Sequence, residues 1–380
     1  MSTRSGDKII CALSGGVDSA VAARLLLDQG HAVEGLHMTN WDDDDGYCTA
    51  ARDLADARQI CADLGIVLHH VNFAREYRDQ VFAAFLKDYR SGLTPNPDVL
   101  CNREIKFGVL LDYAKRLGGR RLATGHYARA TADGRLRKGA DPDKDQSYFL
   151  HQVSREALAD AVFPLGERQK SDVRRMANEA GLAVYDKPDS TGICFIGERP
   201  FRAFLSRYIP ELPGDIEAPD GLVVGAHHGL AYYTLGQRQG LGIGGVKGRG
   251  DAPWFVAGKD EARNVLIAVQ GREHPALWSA GLETGPPHWI GAAPMALSDG
   301  REFACHVKTR YRQPDVAGVA VRCGERLRIR FDAPQWAVTP GQYAVLYAGD
   351  ECLGGGQITA ALDADAVTAA PVADTLTAPL

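Results

Sequence analysis

A chain of 380 residues, 45% hydrophobic and 24% charged, carries enough apolar material for two or three ordinary cores. Its net charge of −5 excludes a wholesale polyanion binder, though a local basic face would still hold a phosphate backbone. No basic segment followed by an apolar one opens the chain, no apolar run approaches a membrane span, and the eight cysteines fall in no C-x-x-C or zinc spacing. A cytoplasmic protein with reduced thiols is therefore expected, with no membrane partner.

Residues 8–13 read as a short buried strand, and 20–29 carry apolar side chains at helical spacing. Between them stand Ser14, Gly15, Gly16, Val17, Asp18 and Ser19. Two glycines let the backbone turn so that its N–H groups converge on an anion, and Ser19 is expected to open a helix whose positive end faces the same point. The string is a phosphate cradle, but not G-x-x-x-x-G-K-[ST]: at the Gly258-Lys259 pair, Pro253 stands where the first glycine belongs. Further strands at 32–38, 67–71 and 121–126 alternate with helices beginning near Ser19, Ala50, Glu76 and Arg103. That alternation predicts an α/β N-terminal domain with a mostly parallel sheet, its cradle at the carboxyl edge. A helical segment at 171–181, with a capping serine and a closing glycine, extends this domain to about residue 200.

Residues 201–282 change character, being rich in glycine and aromatics, with short strands at 222–224, 254–257 and 265–269. They predict a small mixed, mainly β central domain. After Pro286-Pro287, strands at 303–308, 319–323, 326–331 and 343–347 predict a C-terminal β-barrel over 283–365. An Ala/Thr/Pro-rich tail, 366–380, is expected to be disordered. The run Asp42 to Asp45 reads as a solvated loop, since four consecutive carboxylates cannot all face one ion. Residues 240–245 match G-x-G-x-x-G by letter but precede no helical pattern, so a linker or substrate-facing loop is expected there.

Cys11, Cys305 and Cys323 sit in apolar or alternating strands and read as small buried hydrophobes. Two others differ. Cys101 follows a proline-rich loop and precedes Arg103 and Lys106, a setting near a helix N-terminus that lowers a thiol pKa. Cys194 lies in a glycine-bracketed turn after Lys187-Pro188.

The loop Ser14–Ser19 resembles the PP-loop of ATP pyrophosphatases, which cleave ATP between its α and β phosphates. With it stand Asn96-Pro97-Asp98 through Cys101-Asn102, Ala123-Thr124-Gly125-His126-Tyr127, Lys144-Asp145-Gln146-Ser147-Tyr148-Phe149-Leu150, Ser190 through Gly197, Tyr233-Thr234-Leu235-Gly236-Gln237-Arg238 and Lys308-Thr309-Arg310-Tyr311-Arg312. Together these strings resemble the bacterial tRNA-specific 2-thiouridylases, over essentially the whole chain except its termini. The resemblance implies ATP-dependent 2-thiolation of the wobble uridine. ATP would adenylate the C2 oxygen with Mg²⁺ at the phosphates, and a cysteine persulfide would then supply sulfur, releasing AMP and pyrophosphate. It implies nucleotide binding by Ala12, Leu13, Ser14, Gly15, Gly16, Val17, Asp18, Ser19, Met38 and Gly125. It implies that Cys194 carries the persulfide, received from a sulfur-relay protein, and that Cys101 either releases sulfide by forming a disulfide or resolves the intermediate afterwards.

Asp98, three residues before Cys101, is the candidate acid/base, against a plain turn role. By the same resemblance Asn96, Pro97 and Asp98 would contact the target base, and His126, Lys144, Asp145, Gln146, Arg310, Tyr311 and Gln342 other parts of the tRNA anticodon stem-loop. Charge adds an independent hint, because residues 301–332 hold eight Lys/Arg against four acids. Strand alternation should put Arg326, Arg328 and Arg330 on one face and Leu327, Ile329 and Phe331 on the other.

Overall fold

Five strands lie parallel in the first sheet, in the order Leu68–Asn72, Ala32–Thr39, Lys8–Ala12, Arg121–Ala123, Ala161–Val162. The computed structural model describes residues 7–41, 50–189 and 201–368. Helices cover both faces, so the central strand is apolar after Lys8: Ile9 and Cys11 join the core beneath helices Val17–Asp28 and Lys170–Glu179, while Ile10 faces the opposite core. Strand order reverses between Lys8–Ala12 and Arg121–Ala123, which opens a crevice at their carboxyl ends.

The central region forms a four-stranded sheet ordered Trp254–Asp260, Val265–Gln270, Gly214–Glu217, Val223–His227. The last region closes on itself: Trp278–Thr284 pairs with Arg326–Trp336, and the ladder continues through Val316–Cys323, Phe303–Lys308, Tyr343–Ala348 and Glu351–Leu362 back to Trp278–Thr284. This is the expected barrel, and the fold class holds in all three regions. Leu327, Ile329 and Phe331 point into its core while Arg326 and Arg330 are exposed; Arg328 pairs with Glu283 at 2.7 Å.

The regions share one continuous core, which runs from Ile105 and Tyr148 to Ile216 and Tyr343. A hairpin of the first region, Ala128–Ala130 with Leu136–Lys138, adds to the barrel sheet through Leu136 and Cys352. The fully buried Tyr148 donates its hydroxyl to the Tyr343 carbonyl at 3.2 Å and accepts from the Tyr343 N–H at 3.3 Å.

Several local expectations need correcting. The first helix starts at Val17 behind Gly16, so Ser19 lies in its first turn and does not open it. Gln169, not Ser171, precedes the helix Lys170–Glu179, and no side chain caps it. The helix expected near Arg103 starts at Pro97, where a ring-fixed φ favours the first turn, and Cys101 lies a turn inside it. The strand expected to reach 126 leaves the sheet after Ala123. Strands Gly214–Glu217, Trp278–Thr284 and Glu351–Leu362 were not expected. The short helix Ala364–Thr368 runs into the supposed tail, whose remainder lies outside the described residues. The Asp42–Asp45 run, Cys194 and the rest of its string from Ser190 also lie outside them. No helix follows residues 240–245, and the next regular element is the strand Trp254–Asp260.

Candidate active site

The loop Ser14–Ser19 sits in the crevice where strand order reverses. Ser19 folds it: the Ser19 hydroxyl accepts from Ser14 N–H at 3.2 Å and donates to the Gly16 carbonyl at 3.0 Å. Gly16 leaves the helix start without a side-chain cap, so first-turn amides stay available to an anion. Gly15 has φ +78°, and a Cβ there would sit 2.5 Å from the Asp53 carbonyl oxygen. Gly125, just past the end of the fourth strand, lies hard against the same loop. A Cβ on it would fall 2.8 Å from Ser19 N and 2.9 Å from the Asp18 carbonyl carbon. Ala12 and Met38 are half-buried at or near the carboxyl ends of the two neighbouring strands, and Leu13 and Val17 are buried beneath the loop.

Charged side chains ring this loop. Lys170 Nζ donates to both Asp18 oxygens, at 2.7 and 2.8 Å, and Tyr127 donates its hydroxyl to Asp18 Oδ1 at 2.7 Å. Lys187 donates to the Gly15 carbonyl and to Asp53 Oδ1, each at 3.0 Å, and pairs also with Asp56. Burial alone would lower the Lys187 pKa, but hydrogen bonds to Asp56 and Asp53 raise it overall. None of Tyr127, Lys170 or Lys187 stood out in the sequence reading as a site residue. Each meets the loop across more than a hundred residues, which no local pattern reveals.

The segment around Cys101 is fixed by the barrel. Thr94 N–H donates to Pro340 O at 3.0 Å, Gln342 donates to Thr94 O at 2.8 Å, and Asn96 donates to Gln342 Oε1 at 3.4 Å. Gly341 has φ +95°, and close approach also demands a glycine here, because a Cβ would meet Thr94 N at 2.6 Å. Pro97 and Cys101 are buried, Cys101 with 1% exposure, so the thiol expected near a helix N-terminus lies a turn inside the helix and in the core. Burial pushes the Asp98 carboxyl above its ordinary pKa, and Lys106 opposes that in part. The same Lys106, after burial, holds His126 well below its usual pKa, so its ring is neutral. That ring bonds Thr124 Oγ1 through Nδ1 at 2.7 Å and lies 6.0 Å from both Phe107 and Phe163.

The other candidate RNA contacts divide into two groups. Asp145 is 3% exposed and accepts from Gly139 N–H at 2.9 Å, Ser147 N–H at 3.1 Å and Ser147 hydroxyl at 3.0 Å, so its carboxylate is spent inside the fold. Gln146 accepts from Tyr127 N–H through its side chain at 3.0 Å, bracing the chain after Gly125. Arg310 is buried in part, donating to Leu235 O at 2.8 Å and bonding Thr339. Lys144 and Tyr311 are half-exposed and adjacent, the Tyr311 hydroxyl reaching Lys144 O at 3.4 Å and its ring lying 4.5 Å from Phe149. The geometry thus offers an anion site flanked by lysines, a carboxyl with a raised pKa one helical turn before a buried thiol, and a half-exposed lysine with an aromatic beside it.

Family models match all three regions: a tRNA methyl transferase HUP domain over residues 7–198, a tRNA methyl transferase PRC-barrel domain over 202–270 and an aminomethyltransferase β-barrel domain over 279–358. The tRNA-specific 2-thiouridylase MnmA of Chromohalobacter salexigens is 58% identical, over 92% of this chain and 92% of its own. Those of Marinobacter nauticus and Methylococcus capsulatus are each 55% identical, over 92% and 94% of this chain and 91% and 97% of theirs. Among solved structures, a 4-thiouridine synthetase–RNA complex with bound ATP aligns at 18% identity over 53% of this chain and 49% of its own, with a TM-score of 0.32, a likeness too slight to build on.

Proposed function

The chain belongs to the tRNA-specific 2-thiouridylase family, and from that premise we propose that it uses ATP to replace the C2 oxygen of a wobble uridine in tRNA with sulfur. The observation that carries the ATP step is the Ser14–Ser19 loop at the sheet's switch point, closed by Gly125 and flanked by Lys170 and Lys187.

The C2 carbonyl of uridine is deactivated by two ring nitrogens, so its oxygen must first become a leaving group. Its attack on the α phosphate of ATP forms an adenylate and expels pyrophosphate. Loop amides and the two lysines would hold the phosphates and offset the charge that develops on them. Among the described residues no group of three His, Cys, Asp or Glu could hold a metal by itself. Asp18 would instead help hold Mg²⁺, which would supply charge neutralisation at the phosphates. The half-exposed Asp18 carboxylate is a fitting hard donor, once Lys170 yields it.

Sulfur arrives as a nucleophile, with AMP leaving on the old oxygen. Cys194 would carry it as a persulfide loaded by a donor protein. In one route the Cys101 thiolate attacks the inner sulfur, giving a Cys101–Cys194 disulfide and hydrosulfide that attacks C2. In the other the outer persulfide sulfur attacks C2, and Cys101 then frees the product by taking Cys194 into the same disulfide. Both leave a Cys101–Cys194 disulfide, which an external dithiol (or two thiols) must reduce by two electrons to restore the pair. Asp98 stands one helical turn before Cys101 and would accept its proton. No helix among the described residues is long and apolar enough to cross a membrane.

The test of this reading is a pair of tRNA transcripts differing only at the wobble position. A uridine transcript should gain sulfur and yield AMP, and a cytidine transcript should do neither; equal AMP from both would contradict the reading. The Asp98 assignment predicts a pH effect of definite sign. Because burial raises its pKa, thiolation should climb with pH through a limb above the usual carboxylate value of about 3.9, as Asp98 ionises and becomes a base. Asp98→Asn should erase that limb, and an unchanged profile would remove Asp98 from the reaction.

A further inference from the structure

Lys170 stands between two carboxylates. Its ammonium, 11% exposed, reaches both Asp18 oxygens and lies 2.7 Å from Asp189 Oδ1. Asp189 in turn accepts from Arg174 at 2.8 Å on Oδ1 and from Lys144 at 2.8 Å on Oδ2. Burial by itself would raise the Asp189 carboxyl, but Lys144 and Lys170 hold it down to about 2, so it is ionised at any working pH. An unbroken line of ion pairs therefore runs Asp18–Lys170–Asp189–Lys144. One end is the phosphate loop, and the other is the half-exposed cation beside Tyr311 of the barrel.

We propose that Asp189 is a positioning residue that couples tRNA binding to nucleotide binding. The inference rests on the thiouridylase reading and adds a residue to it. Without RNA, Asp189 divides its charge among Lys144, Lys170 and Arg174. An RNA phosphate that takes Lys144 leaves Asp189 with one cation fewer, which strengthens its hold on Lys170. Lys170 then shifts its hydrogen bonds from Asp18 toward Asp189, and Asp18 is released to the metal–nucleotide. The two ligands thus favour each other, and linkage makes the effect reciprocal. The side chains are about a third exposed or less, apart from Arg174 at 36% and Lys144 at 37%, so solvent screens the line only in part.

The experiment measures the dissociation constant of α,β-methylene-ATP with magnesium, in the presence and absence of saturating tRNA, on the full chain. In the parent protein tRNA should tighten the analogue by roughly 5- to 150-fold, the span of ordinary couplings. In Asp189→Asn the ratio should fall toward one. Because the result is a ratio, a loss of folded protein does not imitate it. Lys144→Gln breaks the line at its other end and should collapse the same ratio, which keeps the test open if Asp189→Asn folds poorly. A parent protein with no coupling, or an Asp189→Asn protein with parental coupling, would overturn the inference alone. A parent protein that binds no tRNA would overturn the functional reading and the inference with it.

Discussion

Replacing Cys194 with serine is expected to lower 2-thiouridine formation by roughly 10³-fold or more, because a hydroxyl cannot carry a persulfide and no other group takes over an absent covalent nucleophile. Binding of tRNA should stay nearly unchanged, because the substitution removes a covalent nucleophile and keeps a small polar side chain. Adenylation should persist, so pyrophosphate is still released while AMP stays on the uridine oxygen. Cys101→Ser should likewise keep pyrophosphate release and lose sulfur insertion. Cys101 is 1% exposed, and a more strongly polar hydroxyl at a buried position costs about 1–3 kcal/mol unless it is hydrogen-bonded. Cys101→Ala removes the thiol without that cost and should behave alike. Sulfur transfer by the Cys194 variant at the parental rate would end the persulfide assignment. Loss of tRNA binding in both Cys101 variants would make that thiol structural.

Gly125→Ala carries the second large effect. The added methyl would lie 2.8 Å from Ser19 N and 2.9 Å from the Asp18 carbonyl carbon, both backbone atoms of the phosphate loop. Neither can rotate aside as a side chain would, so the loop itself must move. Overpacking of this kind costs about 1–3 kcal/mol, which on binding amounts to roughly 5- to 150-fold weaker ATP affinity. Gly250→Ala provides the contrast, since nothing lies within 4 Å of a Cβ there, and should leave affinity unchanged. Titration of the ATP analogue against both variants checks this; equal affinities would mean that the loop does not hold the phosphates.

Much of this was legible in the sequence because it is local. The apolar run at 8–13, two glycines and an amphipathic segment fix strand, loop and helix without long-range information, and alternation at Arg326–Phe331 gave the correct buried face. The missed strand Glu351–Leu362 shows the limit. It holds three consecutive glycines, which weaken a strand by propensity, yet close approach requires them: a Cβ on Gly354 would sit 2.1 Å from His288 O, and one on Gly355 2.2 Å from Ala344 O. Trp278–Thr284 was hidden in the same way by Gly281, which packs against Ile329 O.

The site divides along the same line. Candidate residues on one short string, such as Ser14 to Ser19, do share one loop. Others owe their places to partners far along the chain. Gln342 meets Asn96 across 246 positions and Lys170 meets Asp18 across 152, so no spacing rule could pair them. Cys101 shows the same limit: its string reads as the start of a helix near Arg103, but the helix begins a turn earlier at Pro97 and the thiol is buried.

The central claim is that one ATP is cleaved to AMP for each sulfur placed on a wobble uridine. It is tested most directly by quantifying AMP and 2-thiouridine together, from one reaction containing the full chain, tRNA, ATP, magnesium and a persulfide donor. The account predicts both products, in equal amounts and dependent on Cys194. Formation of 2-thiouridine without AMP would contradict it.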